Sequence, residues 1–185
     1  MKRHWLIIFY IFFSIFLFSS CVKDTDFNQA EDITLTPIVE LNLIFFDLPA
    51  SSFFDSNTNT PRLQVSDTTE IRFLDDSGVQ ESLKRAEFYF KFENSIPRSF
   101  DTQFDFLSVE NEITYTTSVA VQEGEPNQSV ITEFTENVEG DQILNLTQAD
   151  KVVVTVTIPE ANESLEGNLN LQSKTTYYLE IKERN

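Results

Sequence analysis

Ala86-Glu87-Phe88-Tyr89-Phe90-Lys91-Phe92-Glu93 puts Ala86, Phe88, Phe90 and Phe92 on one side of an extended chain and Glu87, Tyr89, Lys91 and Glu93 on the other. Side chains of a strand alternate between its faces, so this octet predicts a half-buried strand with an aromatic inner face. Asn94-Ser95-Ile96-Pro97-Arg98 then supplies turn chemistry. The period of two resumes at once, with Phe100, Thr102, Phe104 and Phe106 against Asp101, Gln103 and Asp105. The two segments are expected to be sequential neighbours, either paired in one sheet or facing each other across a core.

The same alternation extends in both directions. Downstream it runs through Ile113, Tyr115, Thr117, Val119 and Val121, then Val130, Thr132 and Phe134, then Val152, Val154, Val156 and Ile158, and finally Tyr177, Leu179 and Ile181. Upstream, Val39, Leu41, Leu43 and Phe45 define a first strand, whose other face is thickened by Ile44 and Phe46, as in a strand covered on both sides or at a pairing edge. Glu70–Leu74 and Asn168–Leu171 are shorter candidates. Helical signals are confined to Thr147, read as a cap for one turn over Gln148-Ala149-Asp150, and to a turn over 82–85. Many short strands without βαβ alternation predict an all-β chain, an antiparallel β-sandwich of seven to nine strands. Only four glycines are present, too few for a meander of tight hairpins, so an immunoglobulin-like or fibronectin-like sandwich with longer connections is expected.

The opening of the chain is of another kind. Lys2 and Arg3 precede an apolar run from Trp5 to Phe18, which closes on Ser19-Ser20-Cys21: the order of a secretory signal. The run is fourteen residues long, short of the roughly 20 a spanning helix needs. Cys21 is the single cysteine, and Phe18-Ser19-Ser20-Cys21 resembles a bacterial lipobox, although Phe18 stands where Leu is usual. Val22-Lys23-Asp24-Thr25-Asp26 is similar to the tag that carries Bacteroidota lipoproteins to the outer face of the outer membrane, with Thr25 interrupting its acids. The resemblance implies a signal peptide over 1–20, lipidation of Cys21, an export tag at Lys23, Asp24 and Asp26, a flexible tether over 21–32 and a sandwich domain over 33–185. The body loosely resembles uncharacterised single-domain sandwich lipoproteins of flavobacteria.

Composition restricts the chemistry. Without residues 1–20, 165 of the 185 residues remain, with 30 acidic against 11 basic side chains. A formal charge near −19 leaves no basic patch for nucleic acid or anionic head groups. His4, Trp5, Met1 and Cys21 are the single examples of their types, so the body beyond Cys21 lacks imidazole, thiol, indole and thioether. Ser-His-Asp and Cys-His catalysis, and zinc, copper or haem ligation of the usual kinds, are thereby excluded. What remains is carboxylate chemistry or an oxygen-ligand cation site.

Five candidate features follow. Phe53 and Phe54 are adjacent rings in a loop-like stretch, either tucked over the sandwich end or exposed as a partner contact. Asp75 and Asp76 in Asp75-Asp76-Ser77-Gly78 are weak calcium candidates within a turn signal that lacks EF-hand spacing. Asp101 and Asp105 with Glu87 or Glu93 could form a carboxylate pair, although no Trp platform accompanies them. Thr68 in Asp67-Thr68-Thr69 is similar to the O-glycosylation sequon of exported Bacteroidota proteins. Tyr89 and Tyr178 are outward rings. The expected function is that of a surface-exposed outer-membrane lipoprotein, a non-catalytic binding or envelope-assembly module. It has no cofactor, and its partners are the membrane through the lipid and an envelope protein. The alternative is a glycan-binding or glycan-active accessory module, assisted by calcium.

Overall fold

The computed structural model describes residues 34–125 and 128–182. Cys21, Lys23, Asp24 and Asp26, with the signal and tether expectations, lie outside the described residues. The octet Ala86–Glu93 lies in a strand over Leu83–Asn94 whose alternation is complete: from Ala86 to Asn94 every second residue is buried.

In chain order the strands are β1 (Thr34–Leu35), β2 (Ile38–Asn42), β3 (Phe46–Pro49), β4 (Phe54–Asp55), β5 (Thr60–Pro61), β6 (Gln64–Glu70), β7 (Leu83–Asn94), β8 (Phe100–Leu107), β9 (Ile113–Val121), β10 (Val130–Glu139), β11 (Lys151–Thr157), β12 (Asn168–Leu179) and β13 (Ile181–Lys182). Two antiparallel sheets carry the fold. One runs β10-β7-β12-β2 with β3 also paired to β12, and the other runs β6-β11-β8-β9. They face each other across an aromatic core in which Phe90 stacks on Phe104 at 4.2 Å and Phe88 meets Phe106 at 4.8 Å between ring centroids. β7 and β8 thus face across the core, the second of the two arrangements expected. Each fully buried Phe contributes about 1.5–3 kcal/mol of transfer free energy, and Phe88, Phe90, Phe92, Phe104 and Phe106 all have no exposed surface.

The antiparallel sandwich expected from the alternation is present, and its connections make it a jelly roll. With β2 and β3 counted as one broken strand, eight strands fall in the orders 1-8-3-6 and 2-7-4-5, a double Greek key. An immunoglobulin sandwich joins A to B, D to E and F to G within a sheet. Here β8–β9 is the one connection between successive sandwich strands that stays within a sheet, so the immunoglobulin-like and fibronectin-like order is corrected. A chain that crosses between sheets at nearly every step needs few two-residue hairpins, which accounts for the four glycines.

The break between β2 and β3 has a local cause. Asn42 pairs with Lys174 and Phe46 with Leu171, so three residues on the edge oppose two on β12, a bulge. Leu43 and Ile44 are both buried there, and the buried Ser173 fills the gap: its Oγ accepts from Ile44 N at 3.0 Å and donates to Ile44 O at 2.7 Å. The doubled apolar face at Ile44 and Phe46 therefore marks a kinked edge strand.

Local expectations are corrected in three places. The strand placed at Glu70–Leu74 lies earlier, over Gln64–Glu70, and Arg72–Asp75 is a 3-10 helix. Thr147 caps the C-terminal end of a helix over Asp141–Leu146 (α2) and starts no turn of its own. The turn expected at 82–85 is the end of α1 (Ser77–Ser82), with Arg85 already in β7.

Candidate functional site: the loop-end cleft around Arg98

At one end of the sandwich the β7–β8 turn is held by a single side chain. Asn94 is fully buried at the last position of β7. Its Nδ2 donates to Arg98 O and Gln122 O, both at 2.8 Å, and its Oδ1 accepts from Ile96 N at 2.9 Å. A buried amide that uses both donor hydrogens and its oxygen fixes the turn, because each backbone group it satisfies would otherwise carry a desolvation penalty. Two glycine segments close on this turn. A Cβ on Gly124 would lie 2.6 Å from Asn94 O and Ile96 O, and one on Gly167 would lie 2.6 Å from Ser95 O. Gly167 also has φ +111°, a conformation reserved for glycine. Ser95 N donates to Asn168 O and Asn168 N to Ser95 Oγ, each at 2.9 Å, which ties the 162–167 loop to the turn.

Between the turn and that loop opens a cleft of about 520 Å³, lined by Ser95, Pro97, Arg98, Asn162, Ser164, Leu165, Glu166 and Gly167. Arg98 is its cationic group. Nη1 donates to Pro97 O at 2.6 Å and Nη2 meets Glu160 Oε1 at 3.0 Å, while Nε is buried without a hydrogen-bond partner. The Glu160 side chain is 73% exposed, so this pair is a weak surface contact, about 0–1 kcal/mol, that a ligand can displace. Asn162 Oδ1 accepts from Ser164 N at 3.0 Å and Ser164 Oγ at 2.8 Å, which leaves the Asn162 amide hydrogens for a ligand. Guanidinium and amide donors beside the Glu166 carboxylate, with Pro97 and Leu165 as apolar walls, suit a ligand carrying both hydroxyl donors and acceptors.

None of the candidate site residues expected from the sequence lines this cleft. Phe53 is fully buried at the end of a 3-10 helix over Ala50–Phe53, packed on Phe100 at 5.3 Å, and Phe54 is half-buried in β4. The exposed partner contact expected of that pair is corrected, since the ring needed to cover the core is the one the contact would have used. Asp76 is committed to capping α1, its Oδ1 accepting from Val79 N at 3.0 Å, and Asp75 ends the preceding 3-10 helix. Among the described residues no three His, Cys, Asp or Glu side chains group closely enough to hold a metal ion. Asp101 and Asp105 project from the four-stranded sheet and Glu87 and Glu93 from the five-stranded one, so both sheets, about 10 Å apart, separate them. Their proposed pairing is excluded by that geometry. Asp105 instead accepts from Thr116 Oγ1 at 2.7 Å and from Gln103 Nε2. Thr68 is exposed on the edge strand β6, its N–H donating to Asp67 Oδ1 at 2.8 Å. Tyr89 donates to Glu133 at 2.7 Å, which together with the negative charge there raises its phenol pKa, and Arg85 stacks on Tyr178 at 3.7 Å. Both rings are already engaged with protein groups.

Arg98 itself was legible only as part of a turn. Its ion-pair partner Glu160 and the facing wall of the cleft come from residues 160–167, and no local pattern announces a site assembled from segments so far apart.

No family model and no curated protein matches the sequence. Among solved structures, the chain is similar to the VP2 subviral particle of infectious bursal disease virus (7% identity, 77% of this chain and 32% of that one, TM-score 0.48). It is also similar to a protein of Parabacteroides distasonis thought to be secreted (13% identity, 66% and 38%, TM-score 0.44). The chain spans about a third of the length of the capsid protein. The jelly-roll assignment rests on the strand order alone.

Proposed function

We propose that this chain is a non-catalytic binding module of a bacterial envelope, anchored in the outer membrane through lipid on Cys21, exposed at the cell surface, and engaging an envelope partner at the Arg98 cleft. The observation that supports this most is the construction of that cleft. Asn94, Gly124 and Gly167 fix its walls, and a guanidinium with an unused buried N–H stands in it. Preorganised walls lower the ordering cost of binding. The absence of imidazole and thiol from the sequence after Cys21 supports binding over catalysis.

The test is a photo-crosslinking residue at position 166 of the lipidated protein in intact cells, with and without Arg98→Ala. One dominant envelope-protein adduct that Arg98→Ala abolishes is the expected result. No adduct, or one indifferent to Arg98→Ala, overturns the reading. Failure of alkyne-palmitate to label the wild type, or equal labelling of Cys21→Ala, overturns the anchor.

A second reading, glycan binding at the same cleft, is favoured by its mixture of guanidinium, amide and carboxylate groups. It expects retention on a cell-surface polysaccharide column that Arg98→Ala and Asn162→Ala both weaken.

A further inference from the structure

The side of the sandwich where β2 and β6 run out holds a second cavity, remote from Arg98 in sequence and in its lining. It has a volume of about 410 Å³, within the range of small-ligand pockets, and lies between β2, the end of β12 and the 3-10 helix over Arg72–Asp75. Leu41, Leu43, Ile71 and Phe73 form its apolar wall, and Thr175 and Tyr177 of β12 complete it. Thr175 is 1% exposed, yet its Oγ1 has no hydrogen-bond partner. Tyr177 is equally buried, its ring packed on Phe73 at 4.7 Å. A buried hydroxyl is almost always paired in a folded protein, and an exception calls for a group that is absent from the bare chain. The polar members of the lining, Asn42 and the ion-paired Glu70 and Arg72, are exposed, while the wall around Thr175 Oγ1 is apolar or aromatic, so a ligand that pairs this hydroxyl also fills an apolar space.

We propose that this cavity is a binding site for a small apolar molecule bearing one hydroxyl or carbonyl, with the apolar body against Leu41, Leu43, Ile71 and Phe73 and the polar end on Thr175 Oγ1. Burial holds the Tyr177 phenol pKa up at about 12, so that group also stays a neutral hydrogen-bonding hydroxyl at any physiological pH. Leu41, 38% exposed on the kinked edge, stands at the mouth of the site.

The experiment uses the full lipidated chain in nanodiscs, with 4-propylphenol and propylbenzene as probes whose free concentrations are fixed by dialysis. Methyl NMR of Leu41, Leu43 and Ile71 reads occupancy. The expected result is saturable shifts confined to these methyls, with the phenol bound about five- to tenfold more tightly, as one buried hydrogen bond implies. Thr175→Val, nearly isosteric, should reduce that preference below twofold while leaving propylbenzene binding in place. Leu41→Trp at the half-exposed mouth should block both probes without touching the polar group. Shifts that do not saturate, that spread over the surface, or a preference for phenol that Thr175→Val leaves intact would overturn the proposal.

Discussion

The loop end of this jelly roll and its open side solve the same problem in opposite ways. At the loop end the backbone of the turn is held by a buried side chain: Asn94 satisfies three backbone groups, and glycines let the neighbouring segments approach to within 2.6 Å of where a Cβ would stand. Along the β2 side, a bulge displaces the edge, a 3-10 helix covers the gap incompletely, and Thr175 is left unpaired over a cavity. The difference is one of construction: the walls of the loop-end cleft are fixed by buried hydrogen bonds and close glycine contacts, whereas the cavity beside β2 is left with an unpaired hydroxyl in its wall. Each substitution that follows probes one side of the contrast.

The largest effect belongs to the closed end. Asn94→Ala leaves Ile96 N, Arg98 O and Gln122 O without their partner and opens a void beneath them. We expect a loss of about 3–5 kcal/mol in urea unfolding, together with loss of the Arg98-dependent crosslink from position 166, since the turn that carries Arg98 is no longer fixed. A loss below about 1 kcal/mol would mean that Gly124 and Gly167 hold this end by themselves.

A smaller effect tests the burial of the open side and has a definite sign. The Tyr177 phenol, raised by burial from 10 to about 12, favours the folded state fully below pH 10, and that contribution is lost as pH rises from 10 to 12. The loss is about 1.4 kcal/mol per pH unit for a single group, about 2–3 kcal/mol across the window. Tyr115, also raised by burial and then by its 2.8 Å hydrogen bond to Glu136, works in the same direction. Comparing the urea midpoints of wild type and Tyr177→Phe at pH 8 and pH 11 isolates Tyr177, because the other titrations are common to both. Parallel midpoints would show that the phenol reaches solvent through the cavity.

How much of this was legible in the sequence differs between the same regions. The octet of β7 and its successor β8 were plain, because a half-buried strand writes its burial in alternate residues. β6 carries no such signal: an edge strand solvated on its outer face has Gln64, Ser66, Thr68 and Glu70 there, and only Val65 is a large apolar residue. β12 read as two fragments because Gln172–Thr176 is polar, yet Ser173, Thr175 and Thr176 are buried. Ser173 fills a bulge and Thr175 faces a cavity, and neither role leaves a local trace in composition. The jelly-roll order was equally silent, since which strands become neighbours is decided by long connections whose residues only have to be long enough. The Arg98 cleft shares that limit, with its walls drawn from residues 95–98 and 162–167.

The smallest effect is the most discriminating, because its sign separates two accounts of the open side. If Thr175 Oγ1 stands unpaired in the bare protein, Thr175→Val removes a buried polar group that gains nothing from its surroundings and keeps nearly the same shape. Stability should then rise by up to about 1 kcal/mol, since deleting an unsatisfied group relieves its desolvation cost. If a trapped water or the Tyr177 hydroxyl already satisfies it, the same substitution orphans that partner, and stability should fall by a similar amount. The neighbouring Thr175 hydroxyl does bias Tyr177 weakly toward its ionised form, opposite to the larger effect of burial, but the two hydroxyls are not in hydrogen-bond geometry. We therefore expect the rise. A measured rise would leave Thr175 Oγ1 as a buried hydroxyl whose partner comes from outside the chain, which is what the proposed ligand site requires, and a fall would remove that requirement.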